Sequence, residues 1–389
     1  MGKLDCQAHK EWRSAAPSRG AGSTPHEVFE HTMRFSFDPV PACHLCGNPE
    51  RVKSGVVCFE GDIFAYSMCT QCGLKYMDPC PSTEFYREYY AQEFWESKLE
   101  GRSWEGDIDF TPVRAEGYYE RRYRDVKQFL TAANLLRPGL RVLEVGCSFG
   151  KTLSLLRDRD GCEVFGIEPS EAARNDAAGR AGKGIKFVGT HAEDLANETD
   201  PQTFDLIAFF HVLENVVEPI PVLQTLHQHL APGGHLIVIT PNLDFNDLMN
   251  PYHPFIFSPE TLRLLFHRGG FVPVFEEHSS PQDISKLNPR PDMILLGRSD
   301  PGHPIPPIAQ VDVDDLLRRQ QYASQTWAQL PSKELLRLIG ARLLAKLFSR
   351  GLTVAARDAP HRVRKQRQYR LNEWSSSTET DSPATSSQS

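Results

Sequence analysis

Four of the nine cysteines stand in two matched pairs, Cys43-His-Leu-Cys46-Gly47 and Cys69-Thr-Gln-Cys72-Gly73. Two C-x-x-C knuckles offer four thiolates, the set that closes a tetrahedral zinc site and leaves no coordination position open for chemistry. A glycine after each pair suits a tight turn that aims backbone N–H groups at sulfur. The 22 residues between the pairs leave room for a hairpin. The competing readings are an empty module or a redox pair. No apolar leader precedes the knuckles, so a reducing, cytoplasmic setting is expected. Paired cysteines there read as metal ligands before disulfides. His44 reads as a bystander inside the first knuckle. Cys58, Cys80, Cys147 and Cys162 lack pair spacing and read as core or loop residues.

The second constellation lies in RVLEVGCSFGKTL. An apolar run ends at Val145, Gly146 permits a sharp turn, and a helix is expected to begin near Gly150. N–H groups at a helix start can face a polar ligand. Such a turn serves a dinucleotide or S-adenosylmethionine. A dinucleotide fingerprint needs G-x-G-x-x-G, but here Ser148 stands between the two glycines and Lys151 follows. Glu168, at the end of the next apolar run, is placed to accept both hydroxyls of a ribose, or else merely caps the following helix. Further on, His211 and Glu214 follow FDLIAFF, and Tyr252 and His253 sit in NPYHPFIFS. As candidate catalytic residues, Tyr252 would hydrogen-bond an acceptor, and His211 or His253 would take its proton. The alternative for Tyr252 and His253 is an ordered lid held by prolines, and for His211 a residue supporting the cofactor loop.

Something must hold these groups in place, and the apolar pattern indicates what. RVLEV, EVFGI (163–167), IKFVG (185–189), FDLIAFF (204–210) and HLIVIT (235–240) read as buried parallel strands. Helical segments near 150–159, 170–182 and 219–230 separate them. Alternation of this kind predicts a parallel sheet covered by helices on both faces. A helix over 118–136 is expected before the first strand. Ser258-Pro-Glu starts a helix that Gly269-Gly270 stops, and VPVFEEH and DMILLGRS read as two final strands.

Taken in order, VLEVGCSFG, GIEPS, HAEDL, FDLIAFFHVLENV and LAPGGHLIVITPN resemble the class I S-adenosylmethionine-dependent methyltransferase family, over about residues 118–298. The resemblance implies an α/β, Rossmann-like sheet of seven strands in the order 3-2-1-4-5-7-6 with the last strand reversed. It implies S-adenosylmethionine as cofactor, bound by Glu144, Gly146, Cys147, Gly150, Glu168, Ala192, Glu193 and His211. His191 stands where relatives often place an aspartate against adenine. The cysteine-rich segment also resembles the zinc ribbon of sugar and natural-product C-methyltransferases, which implies structural zinc on Cys43, Cys46, Cys69 and Cys72.

The expected organisation is a disordered tail (1–38), a zinc ribbon (39–82), an aromatic linker (83–117), the methyltransferase domain (118–300), a helical C-terminal extension (301–370) and a second disordered tail (371–389). The linker EFYREYYAQEFW packs the ribbon onto the main body or contributes to a substrate rim. A net charge of -7 argues against nucleic acid as partner, although RDAPHRVRKQRQYR is locally basic. No run approaches the length of a membrane helix. The expected substrate is a small molecule, and leucine-rich C-terminal helices suit packing on the main domain or a homodimer. A protein or RNA methyltransferase, or a binding protein without catalysis, competes with the small-molecule reading.

Overall fold

The computed structural model describes residues 37–59, 62–94, 112–180, 184–197, 202–244, 250–279, 292–308 and 310–318. The leucines of 335–347, the basic segment and both expected tails lie outside the described residues, apart from 37–38.

A small antiparallel sheet carries the cysteines. β1 (Phe37–Asp38) pairs with β5 (Cys80–Pro81), while β2 (Arg51–Phe59) and β3 (Asp62–Cys69) form the hairpin that the knuckle spacing predicts, and β4 (Lys75–Met77) joins β3. Beyond it comes α1 (Thr83–Glu88), started by the Ser82 side chain accepting from Phe85 N, and then one π turn over Tyr89–Glu93. The linker is therefore helical at its start, and its buried members are Tyr86 and Tyr89.

The main sheet contains β6 (Arg141–Val145), β7 (Glu163–Ile167), β8 (Ile185–Gly189), β9 (Phe204–Phe210), β10 (Leu230–Pro241), β12 (Phe271–Glu277) and β13 (Asp292–Ser299). Their spatial order is β12-β13-β10-β9-β6-β7-β8, with β13 antiparallel to both neighbours. Counted along the sheet, this is the expected 3-2-1-4-5-7-6. The helices are α2 (Pro112–Ala132), α3 (Lys151–Asp160), α4 (Glu171–Arg180), α5 (Pro219–Gln228) and α6 (Pro259–Arg268). α2 runs some residues earlier than the 118–136 read from periodicity. β10 begins at Leu230 rather than 235, because the strand runs through Pro232-Gly233-Gly234 with a register shift against β9. Ser258 and Thr261 close a reciprocal capping box on α6, where the sequence reading leaned on Glu260.

The central strands are mostly apolar because both faces are covered, with Glu144 on β6 the buried exception. Leu143, Val145, Ile207 and Phe209 join one core cluster, while Val142, Leu206, Ala208 and Phe210 join the other. This is the two-residue alternation of a strand made visible on two buried faces. Helices α2 and α3 cover the second face. On the first face, the cluster runs unbroken from Phe209, Leu223 and Leu265 into the ribbon residues Phe64, Tyr66 and Met68. The ribbon therefore shares the core of the main domain.

Two further segments fasten the ribbon. β11 (Phe255–Ile256) pairs with β4 and becomes the edge strand of the ribbon sheet. After β13 the chain returns: Val311 N donates to Gln71 O, and Leu316 packs against Gly73 in the second knuckle.

Candidate functional site

The loop between β6 and α3 is shaped by residues in the left-handed region. Gly146, Ser148 and Gly150 have φ of +69°, +53° and +64°. A Cβ on Gly150 would lie 2.2 Å from Ile185 Cδ1, and one on Gly146 would lie 2.5 Å from Val212 Cγ2, so only glycine fits at either position. The loop's own N–H groups are committed within the protein. Gly146 N and Cys147 N both donate to Ile167 O, Gly150 N donates to Cys147 O, and Ser148 N donates to Glu168 Oε2 at 2.8 Å. Glu168 Oε1 accepts from Ser170 N at 3.0 Å. Glu168 thus accepts from Ser170 just ahead of α4, close to the capping role that competes with ribose binding, and also from the glycine loop, a contact the sequence reading does not anticipate. Cys147 turns its side chain away, toward Gly166 on β7, where a Cβ would lie 2.6 Å from the sulfur. Only its backbone borders the loop.

Glu144 is buried on β6, at 1% exposure. Arg122 Nη1 of α2 approaches its Oε1 at 3.5 Å, and among the described residues Oε2 has no hydrogen-bond partner. Burial pushes the Glu144 carboxyl up to about 8; Arg122 pulls it back and Glu168 pushes it further. Arg122 is itself enclosed by the Tyr118, Tyr119 and Phe210 rings and donates to the Tyr118 hydroxyl.

Ala192 and Glu193 open a 3-10 turn at 192–197, with Ala192 buried. The preceding His191 has a buried Nε2 without a partner among the described residues. Burial and the nearby Arg87 hold His191 below its usual range. Arg87 of α1 also pairs with Asp194 at 2.9 Å, tying the linker to this wall.

At the end of β9, His211 adopts φ +59°, a left-handed conformation that is uncommon outside glycine and that clusters at functional sites. Its ring lies between two carboxylates. Nδ1 is 3.5 Å from Glu214 Oε1 and Nε2 is 3.8 Å from Asp292 Oδ2. Burial pulls the imidazolium down, but Tyr118, Asp292 and Glu214 outweigh it and hold the group up at about 10. Glu214 Oε2 accepts from Thr240 Oγ1 at 2.9 Å. Burial pushes Glu214 up, yet His211 and then His253 hold it below the usual carboxylate range. Tyr118, Arg121, Arg122, Asp125, His211, Ile239 and Asp292 line a narrow cleft here.

The two candidates from NPYHPFIFS separate. His253 is half-buried, within the electrostatic reach of Glu214, and its Nε2 lies 3.2 Å from Asn250 Nδ2. Tyr252 is buried, and its ring stacks on Tyr89 at 4.1 Å and 9°. Tyr252 therefore builds an aromatic wall under the loop. His211 lies beside the buried carboxylate of Glu214, and His253 influences it only through its charge. Sequence reasoning missed Tyr118, Arg122 and Asp292. The first two sit in a helix whose pattern read as plain packing, and Asp292 opens a strand with nothing but position to mark it.

The four cysteines converge as well. Their sulfurs lie within 4.8 Å of one another, with Cys43–Cys72 at 3.6 Å and Cys46–Cys69 at 3.4 Å. Zinc–sulfur bonds of about 2.3 Å in a tetrahedron require sulfurs about 3.8 Å apart, so the cage has the size of a zinc ion. Gly47 and Gly73 have φ of +77° and +76°, and Gln71 N points at Cys69 Sγ at 3.4 Å, as the knuckle pattern requires.

The glycine loop also fits S-adenosylmethionine. Its sulfonium and ammonium are cationic, and the strand ends gather three buried carboxylates, Glu144, Glu168 and Glu214, the first with an unpartnered oxygen.

Residues 115–276 match the profile of the methyltransferase domain family. This part of the chain is similar to methyltransferase domains. Similar curated proteins are ubiquinone biosynthesis O-methyltransferases. That of Vibrio cholerae is 32% identical over 148 residues, 37% of this chain and 57% of the relative. That of Aliivibrio fischeri is 30% identical over 148 residues, 37% of this chain and 59% of the relative. The chain therefore spans under two thirds of these relatives' length. Among solved structures, magnesium protoporphyrin IX methyltransferase from Synechocystis PCC 6803, with bound SAH, aligns at TM-score 0.42 and 19% identity, covering 56% of this chain and 100% of that one. Among the described residues, no helix is long and apolar enough to cross a membrane.

Proposed function

We propose that the chain transfers a methyl group from S-adenosylmethionine to a small-molecule acceptor. One observation carries the reading: a left-handed glycine loop is bonded to Glu168 and surrounded by buried carboxylates at the strand ends of a methyltransferase domain. When bound, S-adenosylmethionine supplies a methyl group already activated by its sulfonium charge. The protein's own part is placement and local charge. Glu168 holds the ribose hydroxyls, Glu144 faces the cationic end, and His191 with Ala192 lies beside the adenine. Alignment of acceptor and methyl provides most of the rate. His253, on the loop above Glu214, takes a proton where the acceptor is a hydroxyl. His211 is held protonated, so its role is to donate a hydrogen bond and fix Glu214.

The relatives' names point to hydroxyl-bearing acceptors, and the ribbon points to sugars and natural products, so sugar nucleotides and phenols form the first screen. In the ribbon sheet β11 of the same chain covers β4 on one side, and β2 forms the opposite edge. Zinc on Cys43, Cys46, Cys69 and Cys72 is the structural metal of this reading, and thiolate ligation suits a reducing, cytoplasmic setting.

Calorimetric titration tests the cofactor. S-adenosylmethionine should bind with micromolar affinity and NAD should show no heat; the reverse result would overturn the proposal. Glu168→Ala should weaken S-adenosylmethionine by about tenfold or more, the scale of hydrogen bonds to a charged group. Purified protein should hold about one zinc per chain, and Cys43→Ser should lose it together with the ribbon's fold.

A further inference from the structure

The loop carrying Tyr252 and His253 is held chiefly by the ribbon. Phe255 lies opposite Tyr76 and Ile256 opposite Lys75, and Met77 N donates to Pro254 O at 2.8 Å. Tyr66, fully buried on β3, directs its hydroxyl at two loop carbonyls: Asn250 O at 2.6 Å and His253 O at 2.8 Å. Tyr86 donates to Pro251 O at 3.5 Å, and Tyr89 stacks on Tyr252. Asn250 in turn sets the loop. Its Oδ1 accepts from Tyr252 N at 3.0 Å, and its side-chain nitrogen meets the His253 ring at 3.2 Å. The hydroxyl of Tyr66 thus anchors the residue that orients His253. Tyr66 also shares its strand with a cysteine of the metal cage, since β3 ends at Cys69. Metal at the four sulfurs fixes the end of β3, and β3 presents Tyr66 to the loop.

We propose that Tyr66 is a positioning residue that couples the four-cysteine site to residues 250–257, so that metal in the ribbon sets the loop that faces the acceptor. The loop's role rests on the methyltransferase reading; the coupling itself does not. The four-cysteine site thereby acquires a purpose beyond folding the ribbon. It governs acceptor engagement while leaving the cofactor loop, on the far side of β9, alone.

The test is amide hydrogen exchange on the full-length protein with its metal content measured, accompanied by S-adenosylmethionine calorimetry. Chelation should speed exchange in 51–77 and in 250–257 together, leaving 141–167 protected and S-adenosylmethionine affinity within about twofold. Tyr66→Phe, which removes one oxygen, should speed exchange in 250–257 about tenfold while the metal stays bound. Loop exchange unchanged by chelation that opens the ribbon would overturn the proposal. So would loop exchange unchanged in Tyr66→Phe, or metal well below one per chain. Should Tyr66→Phe fail to fold, the chelation arm decides alone. A protein that binds no S-adenosylmethionine yet shows coupled exchange would defeat the methyltransferase reading and leave the coupling standing.

Discussion

Glu144 offers a quantitative test of how the strand ends receive their ligand. Its carboxyl is buried at 1% exposure, has one oxygen without a partner among the described residues, and is pushed up to about 8 by burial. At pH 7 such a group is about 0.9 protonated. An opposite charge brought beside a carboxyl lowers its pKa by about one to three units. A two-unit drop, to about 6, would leave about 0.1 of a proton bound, so binding a cationic cofactor should release about 0.8 proton, with a coupling of about 2.7 kcal/mol. The sign is fixed by the direction of the shift: a folded pKa raised above the ordinary 4.5 means that the free protein holds a proton the complex must lose. The assay is titration of S-adenosylmethionine at pH 7 in buffers of different ionisation enthalpy. The parent is compared with Glu144→Gln, so that titration of the cofactor's own amine cancels. A difference near 0.8 proton, shrinking to about 0.1 at pH 9, is the expected result. Equal release from the parent and Glu144→Gln would show that the cation lies elsewhere and would remove Glu144 from the cofactor site.

Two further outcomes follow from the same geometry. His211, held at about 10 between Glu214 and Asp292, should remain an imidazolium through pH 8 in ring-nitrogen NMR, and Asp292→Asn should lower its midpoint; a parent midpoint near 6.5 would refute the pairing. Because this pKa is raised on folding, its stabilising contribution is complete below pH 6.5 and is lost as pH rises through about 10. Gly150→Ala forces a side chain into a left-handed position 2.2 Å from Ile185 Cδ1 and should cost about 1–3 kcal/mol in chemical denaturation; an unchanged midpoint would mean that the loop relaxes freely.

The sheet is legible because its strands are predominantly apolar runs, the pattern that two buried faces impose, and because glycine at 146 and 150 has no substitute. Glu168 and the four cysteines were legible for the same kind of reason, being residue types fixed by short-range spacing. What the sequence concealed depends on distant packing. Nothing in SPETLRLLF or in CHLCG says that the chain before α6 supplies a strand to the ribbon, since Phe255 and Ile256 are apolar in either setting. Tyr118 and Arg122 fit a helical repeat perfectly well, and only the fold turns them toward His211 and Glu144. For Tyr252 the sequence offers either a hydroxyl for an acceptor or a structural lid residue, and its stacking on Tyr89, far from it in the chain, adds a packing role that no spacing could show.

The charge arrangement also bears on the proposed choice between the two nucleotide chemistries that a strand–glycine–helix turn can serve. A pyrophosphate is received by free backbone N–H groups at a helix start. Here the loop N–H groups of Gly146, Cys147, Ser148 and Gly150 are bonded to Ile167, Cys147 and Glu168, which leaves the first turn of α3 to offer such groups. An anion would further meet Glu168 and Glu214, against Arg122 and His211, which lie beside Glu144 and Glu214. Removing a second like charge from water beside buried carboxylates is costly, whereas a sulfonium beside an oxygen that lacks a partner offsets its own desolvation. The missing third glycine therefore reflects more than a departure from a spacing rule. Ser148 uses its backbone to hold Glu168, and that bond sets a carboxylate against the glycine loop, where a cationic ligand fits better than an anion.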